Sequence, residues 1–200
     1  MCSSDLIITI DLHADQIQGF FNIPVDHMAA IPLFDKYFKN NKVFGPNVVV
    51  VAPDTGRAKA AKKFSDRLGA GTDLAIIHKQ RDPEKHNQSE SLHLIGDVAG
   101  KTAILYDDIV DTGGSVINGL ETLKKYKAKE VYLAATHPIF SGPAIEKLSK
   151  ADFKEVVVTN SVPIPREKRW ANLKVISSAP LLGEAIKRIH ENASISELFD

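Results

Sequence analysis

The stretch ILYDDIVDTGGS, Ile104 to Ser115, ends an apolar run in two adjacent carboxylates, Asp107 and Asp108. A third, Asp111, follows, and then Thr112-Gly113-Gly114-Ser115. Three acids within five residues repel one another, and paired glycines weaken a helix or strand. That pattern is poor packing material and good binding material. Adjacent carboxylates accept hydrogen bonds from vicinal hydroxyls, as on a furanose ring. A Thr-Gly-Gly-Ser turn leading into a helix offers backbone N–H groups and a positive helix end to an anion. A diol receptor beside an anion cradle describes a ribose phosphate. A plain turn with Ser115 as helix N-cap explains the serine but leaves the acids unexplained. The segment has neither the lysine of a Walker A loop nor the spacing of a dinucleotide fingerprint.

The elements around this stretch are legible from hydrophobic patterning. Strands are expected at 7–12, 48–53, 74–79, 101–108, 131–137, 155–159 and 174–177, most of them apolar throughout, as buried parallel strands are. Amphipathic helical segments fall between them at 58–68, 115–126, 142–150 and 180–191. The alternation predicts an α/β fold with a doubly wound, mostly parallel sheet. In such sheets ligands bind beyond the carboxyl ends of the strands, where Asp107 and Asp108 fall. Residues 39–47, polar with Gly and Pro, read as a linker, and residues 80–93 read as a long polar insertion. A loop of that length inside a compact domain is usually functional or disordered.

The chain's 200 residues allow one good-sized domain, or a domain plus part of another. Lys plus Arg and Asp plus Glu each count 25, so the net charge is zero and broad electrostatic capture of nucleic acid or an anionic membrane is excluded. No apolar run reaches the length of a membrane span, and the N-terminus lacks the order of a signal peptide. The single cysteine, Cys2, excludes an internal disulfide framework and a multi-cysteine metal site. The expected compartment is a reducing cytoplasm. A core-type strand follows MCSSDL almost at once, so these six residues are expected to be non-native and the reading frame truncated.

Asp107 to Ser115 resembles the pentose-phosphate motif shared by phosphoribosyltransferases and phosphoribosyl pyrophosphate synthetases. DLHADQIQGFFNIPVDH (Asp11 to His27), VVVAPDTGRAKAAKKFSDRLGA (Val49 to Ala70) and the ending ISSAPLLGEAIKRIHENASISELF are similar to segments of ribose-phosphate pyrophosphokinases. The resemblance runs from about Leu6 to Asp200 and implies transfer of the terminal diphosphate of ATP to the anomeric hydroxyl of ribose 5-phosphate. Such catalysis is mostly positioning and electrostatic stabilisation. By resemblance Asp107 and Asp108 hold the ribose hydroxyls, and Asp111, Thr112, Gly113, Gly114 and Ser115 hold the 5-phosphate. His13 and Asp54 help place Mg²⁺, with Asp11 and Asp26 as accessories. A histidine suits Mg²⁺ poorly, so His13 touching phosphate or a metal-bound water is the alternative, and a satisfied histidine at a strand end is the structural one. Lys79 and Arg81 are the expected catalytic cations on a mobile loop, Lys79 on the transferring diphosphate and Arg81 steadying substrate and loop. A point-charge ammonium and a forked guanidinium suit those tasks; two solvated loop charges are the plain reading. That loop is about two residues longer than is usual in the family, and Lys85 is a rival for part of the role of Arg81.

The resemblance further implies two similar phosphoribosyltransferase-like domains. Residues 1–40 are expected to be a remnant of the first, 41–180 a second domain with a five-stranded parallel core, and 181–200 a helix and tail packing on the first. Family members carry roughly a hundred further residues upstream that hold much of the ATP, so this chain is expected to bind ribose 5-phosphate and to have little activity. Full-length relatives form homo-oligomers, dimers stacked into hexamers. The competing readings are a phosphoribosyltransferase and a non-catalytic, synthetase-associated regulatory subunit.

Overall fold

The computed structural model describes residues 5–80 and 91–198. Among these residues the chain forms two sheets and five helices. Strands β1 (Ile7–Ile10) and β2 (Val25–Met28) pair in parallel as a small sheet, with a 3₁₀ turn at Asp15–Phe20 between them. Helix α1 (Ile31–Asn40) leads to β3 (Val48–Ala52), α2 (Ala58–Leu68), β4 (Asp73–Gln80) and β5 (Ser91–Ile95). Then come β6 (Thr102–Val110), α3 (Gly114–Lys125), β7 (Glu130–Pro138), α4 (Ala144–Lys150), β8 (Val156–Thr159), β9 (Leu173–Ile176) and α5 (Ala179–His190). The larger sheet has the order β5-β4-β3-β6-β7-β8-β9. Every neighbouring pair in it is parallel except β4–β5.

Alternation along the strands builds two cores from one sheet. Val49 and Val51 of β3, with Leu105 of β6 and Leu133 of β7, face α3 and α4 through Val116, Leu120, Leu123 and Leu148. Their neighbours Val48, Val50, Ile104 and Tyr106 face the other way, onto α1 and α2. There Phe34, Phe38, Phe64 and Tyr106 pack ring against ring at centroid distances of 5.1–6.3 Å. The α/β, doubly wound, mostly parallel architecture is thus present. No helix among the described residues is long and apolar enough to cross a membrane.

Three sequence expectations need correction. The sheet has six parallel strands with an antiparallel edge strand, not a five-stranded core. The insertion read at 80–93 is flanked by a hairpin: Gln80 pairs with Ser91 and Lys79 with Leu92, while residues 81–90 lie outside the described residues. A division at residue 40 would cut α1 from the core it fills, since Ile31, Phe34 and Phe38 are buried among residues of β3, β6 and α2. Residues 31–40 go with the larger sheet. Helix α5 instead packs on the small sheet, with Leu181 and Ala185 against Met28 and partly buried Ile8 and Ile10.

The switch of direction in this sheet decides where a ligand fits. From β3 the chain moves to β4 on one side and later returns to place β6 on the other. The loops after β3 and β6 therefore diverge above adjacent strands and leave a crevice at their carboxyl ends.

Candidate functional site

That crevice is a cavity of about 700 Å³. Its walls come from the loop after β1 (His13, Asp15, Gln16), the loop after β3 (Pro53, Asp54, Gly56, Arg57) and the hairpin (Ile77, Leu92). The floor is Asp107, Asp108, Ile109, Asp111, Thr112 and Gly113 of β6 and its loop, together with Ser115, Asn118 and Gly119 of α3. Gly113 caps α3 with φ 77°, a left-handed conformation that a side chain would strain. The loop is pinned from the side: Ser141 N–H donates to Asp111 O at 3.0 Å and Phe140 N–H to Val110 O at 3.1 Å. The first turn of α3 lies at the cavity, whose lining includes Gly113 and Ser115.

The carboxylate pair is nearly withdrawn from water, with side chains 13% exposed at Asp107 and 2% at Asp108. Asp108 N–H donates to Asp107 Oδ1 at 2.9 Å. Arg57 Nη1 donates to Asp108 Oδ2 at 3.2 Å, and His13 Nδ1 meets the same oxygen at 2.9 Å. Burial, followed by the hydrogen bond and charge of Asp108, pushes the Asp107 carboxyl up to about 7. Burial raises Asp108 as well. The Arg57 charge, the hydrogen bond from Asp107 and the His13 contact outweigh it and hold that carboxyl below its ordinary value. The two neighbouring carboxyls are thus driven in opposite directions, Asp107 up and Asp108 down.

Of the residues singled out from sequence, the fold brings His13, Asp54, Asp107, Asp108, Asp111, Thr112, Gly113 and Ser115 to one cavity. Gly114 opens α3 beside them. Asp54 Oδ1 accepts a hydrogen bond from Arg57 N–H at 3.0 Å, which closes the loop after β3. Lys79 lies in β4, and Arg81 and Lys85 fall outside the described residues.

Asp11 and Asp26 are not brought to the cavity. Asp26 stands on β2 opposite Ile8. Asp11 is 8% exposed, and its Oδ2 accepts from Ala30 N–H at 2.9 Å and Thr136 O–H at 2.6 Å. That carboxylate braces the segment leading to His13 against β7. His137 adds to the brace: its Nε2 lies 3.1 Å from both Ile10 O and Asp11 O. Two carbonyl acceptors there require Nε2 to carry the proton. Neither Asp11 nor Asp26, the expected accessory metal residues, lines the cavity, and Asp11 is engaged by Ala30 and Thr136.

Arg57, Asp15, Gln16 and Asn118 were missed from sequence. Arg57 had a signal, because a cation in a loop after a buried strand, facing the carboxyl end of its neighbour, is where paired carboxylates need one. Asp15 and Asn118 had none, being ordinary polar residues on a turn and a helix.

A crevice at the switch point, lined by a carboxylate pair and a glycine-capped helix start, places the chain among doubly wound α/β proteins. A family model described as "Phosphoribosyl synthetase-associated domain" matches residues 83–200, more than half of the chain. The chain belongs to that family. It is 48% identical over 196 residues to a ribose-phosphate pyrophosphokinase of Clostridium acetobutylicum, a match covering 98% of this chain and 60% of the relative. A protein of the same name from Caldanaerobacter subterraneus is 50% identical over 193 residues, with 96% and 60% covered. The crystal structure of phosphoribosylpyrophosphate synthetase from Mycobacterium smegmatis superposes with a TM-score of 0.84 at 44% identity, covering 95% of this chain and 60% of that one. The chain therefore spans about 60% of the length of the relatives it matches.

Proposed function

We propose that the cavity receives ribose 5-phosphate and that the chain serves Mg²⁺-dependent transfer of the ATP diphosphate to the anomeric hydroxyl, giving phosphoribosyl pyrophosphate and AMP. The observation that carries this is the convergence of Asp107, Asp108 and the Asp111–Ser115 turn on one crevice, in a chain about half identical to ribose-phosphate pyrophosphokinases. Asp107 and Asp108 accept hydrogen bonds from the ribose hydroxyls. The amides of the Thr112–Ser115 turn and the positive end of α3 take the 5-phosphate. Lys79 and Arg81 act as the cations of diphosphate transfer. The setting is the cytoplasm, and the working form is a homo-oligomer.

The cavity's donor set bears on the metal. Five aspartates line it against a single Lys or Arg side chain, Arg57, among the described residues. Phosphates entering so acidic a space need a cation. Among the described residues no three His, Cys, Asp or Glu side chains cluster into a metal cage. Aspartate oxygens suit Mg²⁺, which keeps most of its waters and binds through one or two carboxylates plus phosphate. Asp54 would hold it through its carboxylate, with exposed His13 contacting its water shell. When bound, Mg²⁺ neutralises and orients the phosphate oxygens of the nucleotide.

Calorimetric titration with ribose 5-phosphate, and separately with Mg-ATP, tests the reading. Saturable 1:1 binding of the sugar phosphate that is lost in Asp108→Asn is expected. Heat from neither ligand would refute it. The family description also favours a second reading, a non-catalytic synthetase-associated subunit. Sugar-phosphate binding without turnover, combined with changed turnover of an added active synthetase, would select that one.

A further inference from the structure

Arg57 is the only Lys or Arg side chain among the described residues lining the cavity. It is held on several sides. Its backbone N–H donates to Asp54 Oδ1 at 3.0 Å, its guanidinium carbon sits 5.8 Å from the ring centroid of Tyr106, and Nη1 donates to Asp108 Oδ2 at 3.2 Å. Its Nε is buried with no hydrogen-bond partner among the described residues, and Asp107 Oδ1 lies 4.0 Å away. Two carboxylates this close and this buried repel strongly unless a cation spans them. Arg57 meets the pair with one hydrogen bond, from Nη1 to Asp108 Oδ2, and with its charge near Asp107, a planar arrangement that a point-charge ammonium does not copy. Arg57 and His13 both meet Asp108 at Oδ2, so neither occupies Oδ1.

We propose that Arg57 is the positioning residue for the hydroxyl end of this cavity: spanning Asp107 and Asp108 from behind, it holds both carboxylates side by side at the angle at which the vicinal diol of a pentose phosphate meets them. The proposal rests on the reading of the cavity as a pentose-phosphate site and adds how that site tells a diol from a deoxy sugar. The phosphate end, at Thr112–Ser115, is served by backbone amides and does not depend on Arg57.

The test titrates the full chain and its Arg57→Gln and Arg57→Lys variants with ribose 5-phosphate, 2-deoxyribose 5-phosphate and inorganic phosphate, with thermal unfolding as the folding control. The unaltered chain is expected to prefer ribose 5-phosphate to the deoxy sugar by about tenfold or more, since each lost hydrogen bond to a charged acceptor has that size. Arg57→Gln is expected to weaken ribose 5-phosphate about tenfold, to bring the ratio of the two sugars towards one, and to leave inorganic phosphate unchanged. Arg57→Lys, which keeps the charge, recovers affinity only in part. An unchanged sugar ratio in both variants overturns the proposal while the reading of the cavity stands. Equal weakening of all three ligands also overturns it, because that is the mark of a general structural role. If the unaltered chain binds neither sugar, the reading of the cavity falls and this inference with it.

Discussion

Replacing Asp11 with alanine should destabilise the chain by about 3–5 kcal/mol. Oδ2 of Asp11 is the acceptor for two donors, Ala30 N–H at 2.9 Å and Thr136 O–H at 2.6 Å, in a region closed to water. Hydrogen bonds to a carboxylate contribute about 1.5–3 kcal/mol each, and donors left buried and unpaired carry their desolvation penalty. Asp11 also has φ 42°, a left-handed conformation that aspartate tolerates better than alanine does. For a chain of this size the loss corresponds to a fall of about 10 °C in Tm.

The decisive control is Asp11→Asn. Both bonds fall on one oxygen, and an asparagine carbonyl can still accept them, so that variant should lose only about 1 kcal/mol. Urea unfolding of the wild type, Asp11→Ala, Asp11→Asn, Thr136→Val and the Asp11→Ala/Thr136→Val double variant provides the measurement. The double-variant cycle should return a coupling of about 1–2 kcal/mol between Asp11 and Thr136. A cost below about 0.5 kcal/mol for Asp11→Ala would refute the brace. So would an Asp11→Asn variant that is fully stable yet loses its response to Mg²⁺, because that outcome marks a metal ligand.

Other consequences can be checked on the same footing. The carboxyl of Asp107 is raised to about 7 in the folded chain from an ordinary 3.8, so the folded state keeps its proton longer than the unfolded state does. Stability at this site should therefore fall as pH rises across that window, and Asp107→Asn should flatten the fall in urea midpoints taken at pH 5 and pH 8. Tyr106 is fully buried, with a hydroxyl that has no hydrogen-bond partner among the described residues. Tyr106→Phe should raise stability by about 1 kcal/mol in urea unfolding, and a loss would reveal a partner. Gly96 has φ 100°, and a Cβ there would lie 2.9 Å from Leu74 O. Gly96→Ala should cost about 2 kcal/mol or more by thermal unfolding. Gly119→Ala should cost less, since its Cβ would meet the end of the Leu105 side chain, at 2.9 Å, and gains helix propensity in return.

What the sequence disclosed follows from where its signals are local. The all-apolar runs of β3, β6 and β7 announce buried parallel strands, and α2 falls on the residues 58–68 that its spacing predicts. Helix α1 escaped because IPLFDKYFKN is short, opens with proline at its first turn and fully buries only Ile31, Phe34 and Phe38 among its apolar residues. Strand β5 escaped because SLHLI is brief and gains its identity from pairing with β4. The acids at 107, 108 and 111 were legible as a site because no packing argument accounts for them. Asp11 reads as the same kind of residue, a carboxylate at a strand end. Its partner Thr136 stands 125 positions away, and only the fold reveals that this carboxylate is already engaged.

The difference between Asp11 and Asp108 shows how the molecule divides structure from site. Both are nearly buried aspartates at strand ends, and both oxygens that receive two contacts are labelled Oδ2. For Asp11 the two contacts are a backbone amide and a threonine hydroxyl, neutral donors that fix it in place and ask for no ligand. For Asp108 they are a guanidinium and an exposed imidazole, one from the loop after β3 and one from the loop after β1. Asp108 is therefore a point where the loop that follows β1 of the small sheet meets the large sheet through polar side chains. The Asp11 brace and His137 fix the chain at Ile10 and Asp11, two residues before His13. Any loosening of that brace reaches the carboxylate pair first through His13, so a change at a residue that touches no ligand should still register at the site.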